Sequence, residues 1–143
     1  KDMTIRSYEG EIFTIPYGGE CTYIVPDAGI PLQFRQEGGG IATHIGKYTF
    51  VNTACIGEFG LEDFEGVMIA ANGDEIRYDL PLDGIKCEET FPPPCFEGEN
   101  ATFTYIITGG TGRFEGAEGT ITINGPFVPA GPFTATGYAE ITY

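Results

Sequence analysis

The single histidine of this 143-residue chain is the first residue to consider for chemistry, because histidine alone has an ordinary pKa close to neutrality. The run Ile41 to Cys55 predicts one long strand with His44, Tyr48 and Asn52 on its inward face. His44 could then act as a general base. A histidine hydrogen-bonded to a hydroxyl or carbonyl is the favoured interpretation, because no nucleophile or paired acid shares its stretch. His44 is therefore a candidate ligand-binding residue, and we assign no catalytic residue.

A group of carboxylates is the second candidate site. Its members lie within eight residues of one another: Glu58, Glu62, Asp63 and Glu65. Carboxylate oxygens at a loop could bind calcium, but the spacing matches no EF-hand loop. A solvated acidic rim is the favoured interpretation. We expect no metal and no cofactor.

The charge balance limits the partners of the chain. There are 21 acidic and 7 basic side chains, which gives a formal net charge of −14. Such a surface repels phosphate backbones and anionic lipids, so we expect neither nucleic acid nor membrane as a partner. No apolar run approaches the roughly 20 residues that a membrane-spanning helix needs. The start of the chain shows no leader-like apolar region, so we expect a mature form.

The four cysteines lack the short paired spacings of zinc sites and predict two disulfides. Three pairings are possible in principle. We expect Cys87–Cys95, because the proline-rich segment between them must return on itself, and Cys21–Cys55 by elimination. Disulfides persist in oxidising compartments, so the chain is expected to be secreted.

Alternating apolar and polar residues dominate the rest of the sequence and indicate strands. Asn72-Gly73 between two such runs predicts a two-residue hairpin turn. That register places Ile69 opposite Ile76 and Val67 opposite Tyr78, all facing inward. No helix longer than one turn is indicated. The fold class is therefore all-β, and an antiparallel barrel or a sandwich would fit.

A glycine-rich connection from Thr108 to Gly119 joins two of these runs. It predicts a corner in which Thr111 caps one helical turn that packs Phe114 against the sheet. Phosphate binding is excluded, because the lysine-serine pair of a Walker loop and a following helix are missing.

Three segments resemble a known superfamily over about residues 40 to 143. They are Gly109-Gly110-Thr111-Gly112-Arg113-Phe114-Glu115-Gly116-Ala117-Glu118-Gly119, Ala42-Thr43-His44-Ile45-Gly46-Lys47-Tyr48-Thr49 and Ala70-Ala71-Asn72-Gly73-Asp74. The first resembles the corner of allene oxide cyclase and dirigent proteins, and the others resemble secreted bacterial proteins with that barrel. The resemblance implies one antiparallel β-barrel domain of about eight strands over residues 1–143. The carboxylate and asparagines that serve cyclisation in those enzymes match no positions in this chain.

The barrel interior is expected to be filled by its own side chains, since a barrel of this size is just wide enough for that. The expected inward residues are Tyr48, Phe50, Val67, Ile69, Ile76, Tyr78, Leu80, Phe103, Tyr105, Ile107, Ile121, Ile123, Phe133 and Ile141. If the interior is hollow, the candidate ligand-binding residues are His44, Tyr48, Phe50, Tyr78, Phe103 and Tyr105.

The function expected from the sequence is that of a secreted, non-catalytic barrel. It would act through its surface as a structural, self-associating or binding protein, with a second copy of itself as a partner. The alternative is an isomerase or cyclase, or a carrier of a small apolar ligand in the barrel interior.

Overall fold

The computed structural model describes residues 2–16, 19–91 and 93–143, and its regular structure is almost entirely strand. The strands are β1 (Asp2–Pro16), β2 (Leu32–Ala42), β3 (Gly46–Gly57), β4 (Gly60–Ala70), β5 (Glu75–Asp79), β6 (Ile85–Cys87), β7 (Asn100–Gly110), β8 (Glu118–Pro126) and β9 (Gly131–Thr142). A single 3₁₀ turn, Gly112–Phe114, lies between β7 and β8 among these residues. The all-β prediction is confirmed.

Antiparallel pairing closes the sheet on itself. The strand order is β5-β4-β3-β2-β1-β9-β8-β7-β6, and β5 also pairs with β7. Eight strands therefore form a closed barrel, and the short β6 is an additional strand on the edge of β7. This confirms the predicted antiparallel barrel of about eight strands.

The alternation in β3 shows how the sequence fills this barrel. Tyr48, Phe50 and Asn52 are buried, while Lys47 and Thr49, which alternate with them, are exposed. Since successive side chains of a strand point to opposite faces, one aromatic and amide face lines the interior.

The register between β4 and β5 corrects the sequence-based one. Met68 lies opposite Ile76, and Ile69 lies opposite Glu75. The loop has three residues, ending on Gly73 with φ of 93°, a conformation that glycine adopts without strain. Because the side-chain period is two, this one-residue shift turns the other face inward. The predicted inward positions of Val67 and Ile69 are therefore wrong, and Met68 with Ala70 fills the core instead.

His44 lies outside the barrel, contrary to prediction. The predicted single strand from Ile41 to Cys55 is interrupted by a turn at Thr43, His44 and Ile45, which connects β2 to β3. His44 is exposed and has a φ of 70°. Ile45, next to it, is 8% exposed and joins the core. The turn is held by the backbone N–H of Thr4, which donates to Oγ1 of Thr43 at 2.8 Å.

The glycine-rich corner between β7 and β8 covers one end of the barrel. Phe114 is buried beneath it, as predicted. Thr111 occupies the N-cap position of the helical turn, as predicted, but its side chain makes no hydrogen bond to that turn. Its Oγ1 instead accepts the backbone N–H of Glu75 at 3.1 Å and ties the corner to β5. We call this end, with the β2–β3 and β4–β5 turns, the closed end.

Both predicted disulfides are present. Cys21 is bonded to Cys55 and Cys87 to Cys95, with Cα–Cα distances of 5.3 and 5.4 Å. The first joins the connection after β1 to strand β3, and the second staples the proline-rich segment before β7. Both bonds are consistent with an oxidising environment. None of the described residues builds a helix with the length and apolar character to cross a membrane.

Candidate ligand-binding site

A cavity of about 720 Å³ occupies the half of the barrel opposite the closed end. We call this half the open end; the β3–β4 turn, the β8–β9 loop and the segment after β5 surround it. Its lining is mainly apolar and includes Ile12, Phe34, Leu61, Phe64, Leu80, Ile85, Phe103, Ile123, Val128 and Phe133. A volume of this size suits one small organic molecule.

Incomplete pairing of β4 leaves an opening in the barrel wall. Residues 66–69 of β4 pair with β5, whereas no pairing across that edge is found for Gly60–Glu65. On the other side, β6 pairs with Phe103, Thr102 and Ala101 of β7. The cavity reaches the surface here, and the cavity-lining Phe59 and Leu82 are fully solvent-exposed or nearly so.

The closed half of the interior is packed by its own side chains. Tyr8 and Phe50 stack with ring centroids 4.0 Å apart, and Phe133 packs edge-on against Phe50 at 6.2 Å. Met68 and Ile76 are each 1% exposed beside them. The predicted filled interior is therefore correct for this half and wrong for the open half, where small residues such as Gly125 and Ala135 line the cavity.

A polar cluster separates the cavity from the packed half, and we call it the floor. At its centre Asn52, with no exposed surface, uses Nδ2 to donate to the hydroxyl of Tyr8 at 2.9 Å and to Oε1 of Gln36 at 3.0 Å. Its Oδ1 accepts the hydroxyl of Tyr78 at 2.6 Å. Tyr105 is close enough to Tyr8 to interact with it electrostatically. Tyr8, Gln36 and Tyr105 reach the cavity from the floor.

Burial keeps the floor tyrosines neutral. It raises the pKa of Tyr8, Tyr78 and Tyr105 well above the ordinary value, because a buried phenolate would lose its hydration. Electrostatic repulsion between Tyr8 and Tyr105 adds to the increase for Tyr8. These hydroxyls therefore serve as hydrogen-bonding groups at physiological pH, and none of the three is a base.

The candidate residues from the sequence fall into three groups. Phe103 and Tyr105 line the cavity. Tyr48, Phe50 and Tyr78 are buried but do not line it, since they pack in or below the floor. The turn that carries His44 is at the closed end, and His44 does not line the cavity.

Sequence reasoning missed Tyr8 and Gln36 as site residues. The alternation of β1 puts Ile5 inside, but a bulge between Ile5 and Glu9 changes the phase and brings Tyr8 inside as well. Gln36 lies on the same face of β2 as Phe34, and this alternation could have placed Gln36 inside. An inward glutamine beside an inward asparagine on the next strand would have indicated a polar floor.

The carboxylates singled out in the sequence, Glu58, Glu62, Asp63 and Glu65, are all exposed. Within the described ranges, Cys87, Cys95 and Glu99 are the one group of potential ligands close enough to share an ion, and both sulfurs are bonded to each other. Glu58 lies at the cavity mouth, exposed to solvent. These carboxylates therefore fit the predicted solvated rim.

A stapled loop forms part of the cavity wall through Pro93, Pro94 and Cys95. Its fold depends on Glu99, whose carboxylate accepts the backbone N–H groups of Glu89 and Thr90, each at 2.8 Å, and that of Phe96 at 3.1 Å. Desolvation acts to raise the pKa of Glu99, but these bonds and one from the Thr90 hydroxyl outweigh it and lower the pKa.

Comparisons of the chain with models of known families, with curated proteins and with solved structures find no match in any of the three. The resemblance to the allene oxide cyclase and dirigent superfamily therefore stays a prediction. Function has to be argued from the cavity and its floor.

Proposed function

We propose that this protein binds one small, mainly apolar molecule in the open end of its barrel and acts as a carrier or receptor for it. The observation that carries the proposal is the cavity of about 720 Å³ with apolar walls and a neutral hydrogen-bonding floor. Apolar walls gain free energy when they exclude water, and a few polar groups orient the ligand. This develops the carrier function that the sequence left as an alternative.

Binding without catalysis is favoured by the chemistry of the lining. Within the part of the chain that the structure describes, the lining includes no histidine, lysine, arginine, aspartate or free cysteine. The buried tyrosines are neutral, and Glu58 is at the mouth, away from the floor. An isomerase or cyclase needs an acid or base directed at the substrate, and this lining supports that activity poorly.

Extracellular action is part of the proposal. Two disulfides and a strongly acidic surface suit a secreted protein that works in an oxidising compartment. A carrier there would hold a poorly soluble molecule away from water.

The test is binding of a neutral apolar fluorophore, N-phenylnaphthylamine, to the purified protein. Ala135→Phe places a ring in the cavity and is expected to weaken binding by about tenfold or more through lost volume. Thr136→Phe, on the exposed face of the same strand, is the matched control and should bind as the wild type does. Absence of binding to the wild type, or equal binding by Ala135→Phe, would contradict the proposal.

Self-association is a second candidate function, favoured by the exposed apolar side chains near the mouth. Phe59 and Leu82 line the mouth, and Phe91 and Phe96 belong to the stapled loop. Large exposed apolar residues in proximity are typical of interaction sites. Analytical ultracentrifugation tests self-association, and it compares the wild type with the double variant that carries Phe59→Ser and Leu82→Ser. A concentration-dependent dimer that the double variant abolishes would support it, and a monomer at all concentrations would exclude it.

A further inference from the structure

We propose that the cavity selects a neutral amphiphile, a hydrocarbon with one hydroxyl or ketone-type oxygen, over the carboxylate with the same chain. The oxygen would rest on Gln36, Tyr8 and Tyr105 at the floor, with the hydrocarbon against the apolar walls. This inference rests on the proposed function, since it names the ligand class of the same cavity.

The hydrogen bonds of the floor leave one donor group unused. Both hydrogens of Asn52 Nδ2 are occupied, by the Tyr8 hydroxyl and by Oε1 of Gln36. In this arrangement Oε1 of the Gln36 amide faces Asn52. Nε2 of Gln36, on a side chain that lines the cavity, donates to no group of the described chain. A ligand oxygen can accept from it, and a ligand hydroxyl can also donate to Tyr8 or Tyr105.

The electrostatics of the cavity disfavour an anion. Arg35, next to Gln36 in sequence, is the nearest cation along β2, but it donates to Glu37 at 2.7 Å and to Gln33 at 2.9 Å on the other face of the strand. No described residue that lines the cavity carries a positive charge, whereas Glu58 at the mouth carries a negative one. A carboxylate at the floor would therefore lose its hydration without gaining a counter-ion.

A purely apolar ligand is disfavoured for a different reason. It would displace water from Nε2 of Gln36 and would leave that donor without a partner. A matched hydroxyl or carbonyl restores one hydrogen bond, and this difference corresponds to about tenfold in affinity.

The experiment compares four twelve-carbon probes at neutral pH: the primary alcohol, the methyl ketone, the alkane and the carboxylate. Each displaces N-phenylnaphthylamine from the wild-type protein. The alcohol and the ketone are expected to bind about tenfold more tightly than the alkane and at least about tenfold more tightly than the carboxylate.

Gln36→Met removes the donor while it keeps a side chain of similar length. The preference for the ketone over the alkane is expected to disappear, and the alkane should bind more tightly than it does to the wild type, because no buried donor is left without a partner. A purely structural role of Gln36 would lower all four affinities together. Gln33→Met, which alters the outward face of the same strand, should leave the order intact. Tyr105→Phe provides a second floor variant if Gln36→Met does not fold.

The outcomes separate the two proposals. If none of the four probes and no fluorophore binds, the proposed function fails and the ligand class fails with it. If the probes bind with equal affinity, or if the carboxylate binds most tightly, the cavity is a binding site but the inferred ligand class is wrong.

Discussion

The carboxamide of Asn52 donates to the hydroxyl of Tyr8 at 2.9 Å and so joins two strands that do not pair with each other in the described sheet. Strand β2 lies between them, and its Gln36 accepts the second hydrogen of the same amide. One buried side chain therefore links three neighbouring strands at the level of the floor.

Asn52→Leu is expected to lower the free energy of unfolding by about 2–4 kcal/mol, since the buried hydroxyls of Tyr8 and Tyr78 lose a partner. Asn124→Leu is the matched control, because Asn124 is only half-buried and its side chain donates to Oγ1 of the half-buried Thr102. We expect this variant to lose about 1 kcal/mol of unfolding free energy. Urea unfolding with the disulfides intact measures both, and equal losses would contradict a special role of Asn52.

Gly66→Ala tests the packing beneath the floor. Gly66 lies opposite Tyr78, and a Cβ at this glycine would overlap the ring of Tyr78. The ring must move and weaken its bond to Asn52, so we expect a loss of about 1–3 kcal/mol in unfolding free energy. Val67→Ala, at the neighbouring outward position, is expected to cost less than about 1 kcal/mol. A cost for Gly66→Ala no larger than that control would be incompatible with this packing.

The β4–β5 register predicts opposite responses at adjacent residues. Met68→Lys would place a charge in the core, where Met68 is 1% exposed, and is expected to abolish the cooperative folding transition. Ile69→Lys would place the charge on the outer face opposite Glu75 and should fold with a melting temperature close to that of the wild type. Circular dichroism melting distinguishes the two, and the reverse result would support the two-residue hairpin.

Alkaline titration should reveal four tyrosines that ionise with unfolding. Desolvation raises the pKa of Tyr8, Tyr48, Tyr78 and Tyr105 above 10, so the folded protein keeps protons that the unfolded chain releases there. The stability from these groups is complete below about pH 10 and decreases as the pH rises further. Phenolate absorbance and far-ultraviolet circular dichroism should change together for these groups. Smooth ionisation of all tyrosines before any loss of structure would disagree with this.

Glu99→Gln tests the anchor of the stapled loop. The lowered pKa of Glu99 means that its stabilising effect is present above the ordinary carboxyl range and is lost as the pH falls through the folded-state pKa. At neutral pH the variant should exchange the amide hydrogens of Glu89, Thr90 and Phe96 several-fold faster than the wild type. The difference in exchange rate between the variant and the wild type should become smaller at acidic pH. Glu97→Gln, two residues away, serves as the control and should show no change.

Local chemistry was enough to predict part of this protein. Period-two runs such as Phe103, Tyr105 and Ile107 predict strands and their inward faces, because the pleat alternates side chains without help from any partner. The Cys87–Cys95 bond follows from a short proline-rich segment that must turn back. The corner that buries Phe114 follows from its glycines, whose freedom at positive φ is a property of the residue itself.

The site itself was decided by long-range geometry. A one-residue change in hairpin register exchanged Val67 and Ile69 for Met68, and a bulge after Ile5 brought Tyr8 inside. Both effects depend on how partner strands pair, which no single segment encodes. Whether eight strands enclose a filled core or a cavity depends likewise on how far the pairing between β4 and β5 extends. Here that pairing ends at Gly66 of β4. Composition and alternation determined an acidic all-β fold, and the tertiary pairing alone decided that the strands close into a barrel whose one half is hollow above a floor of Tyr8, Gln36 and Asn52.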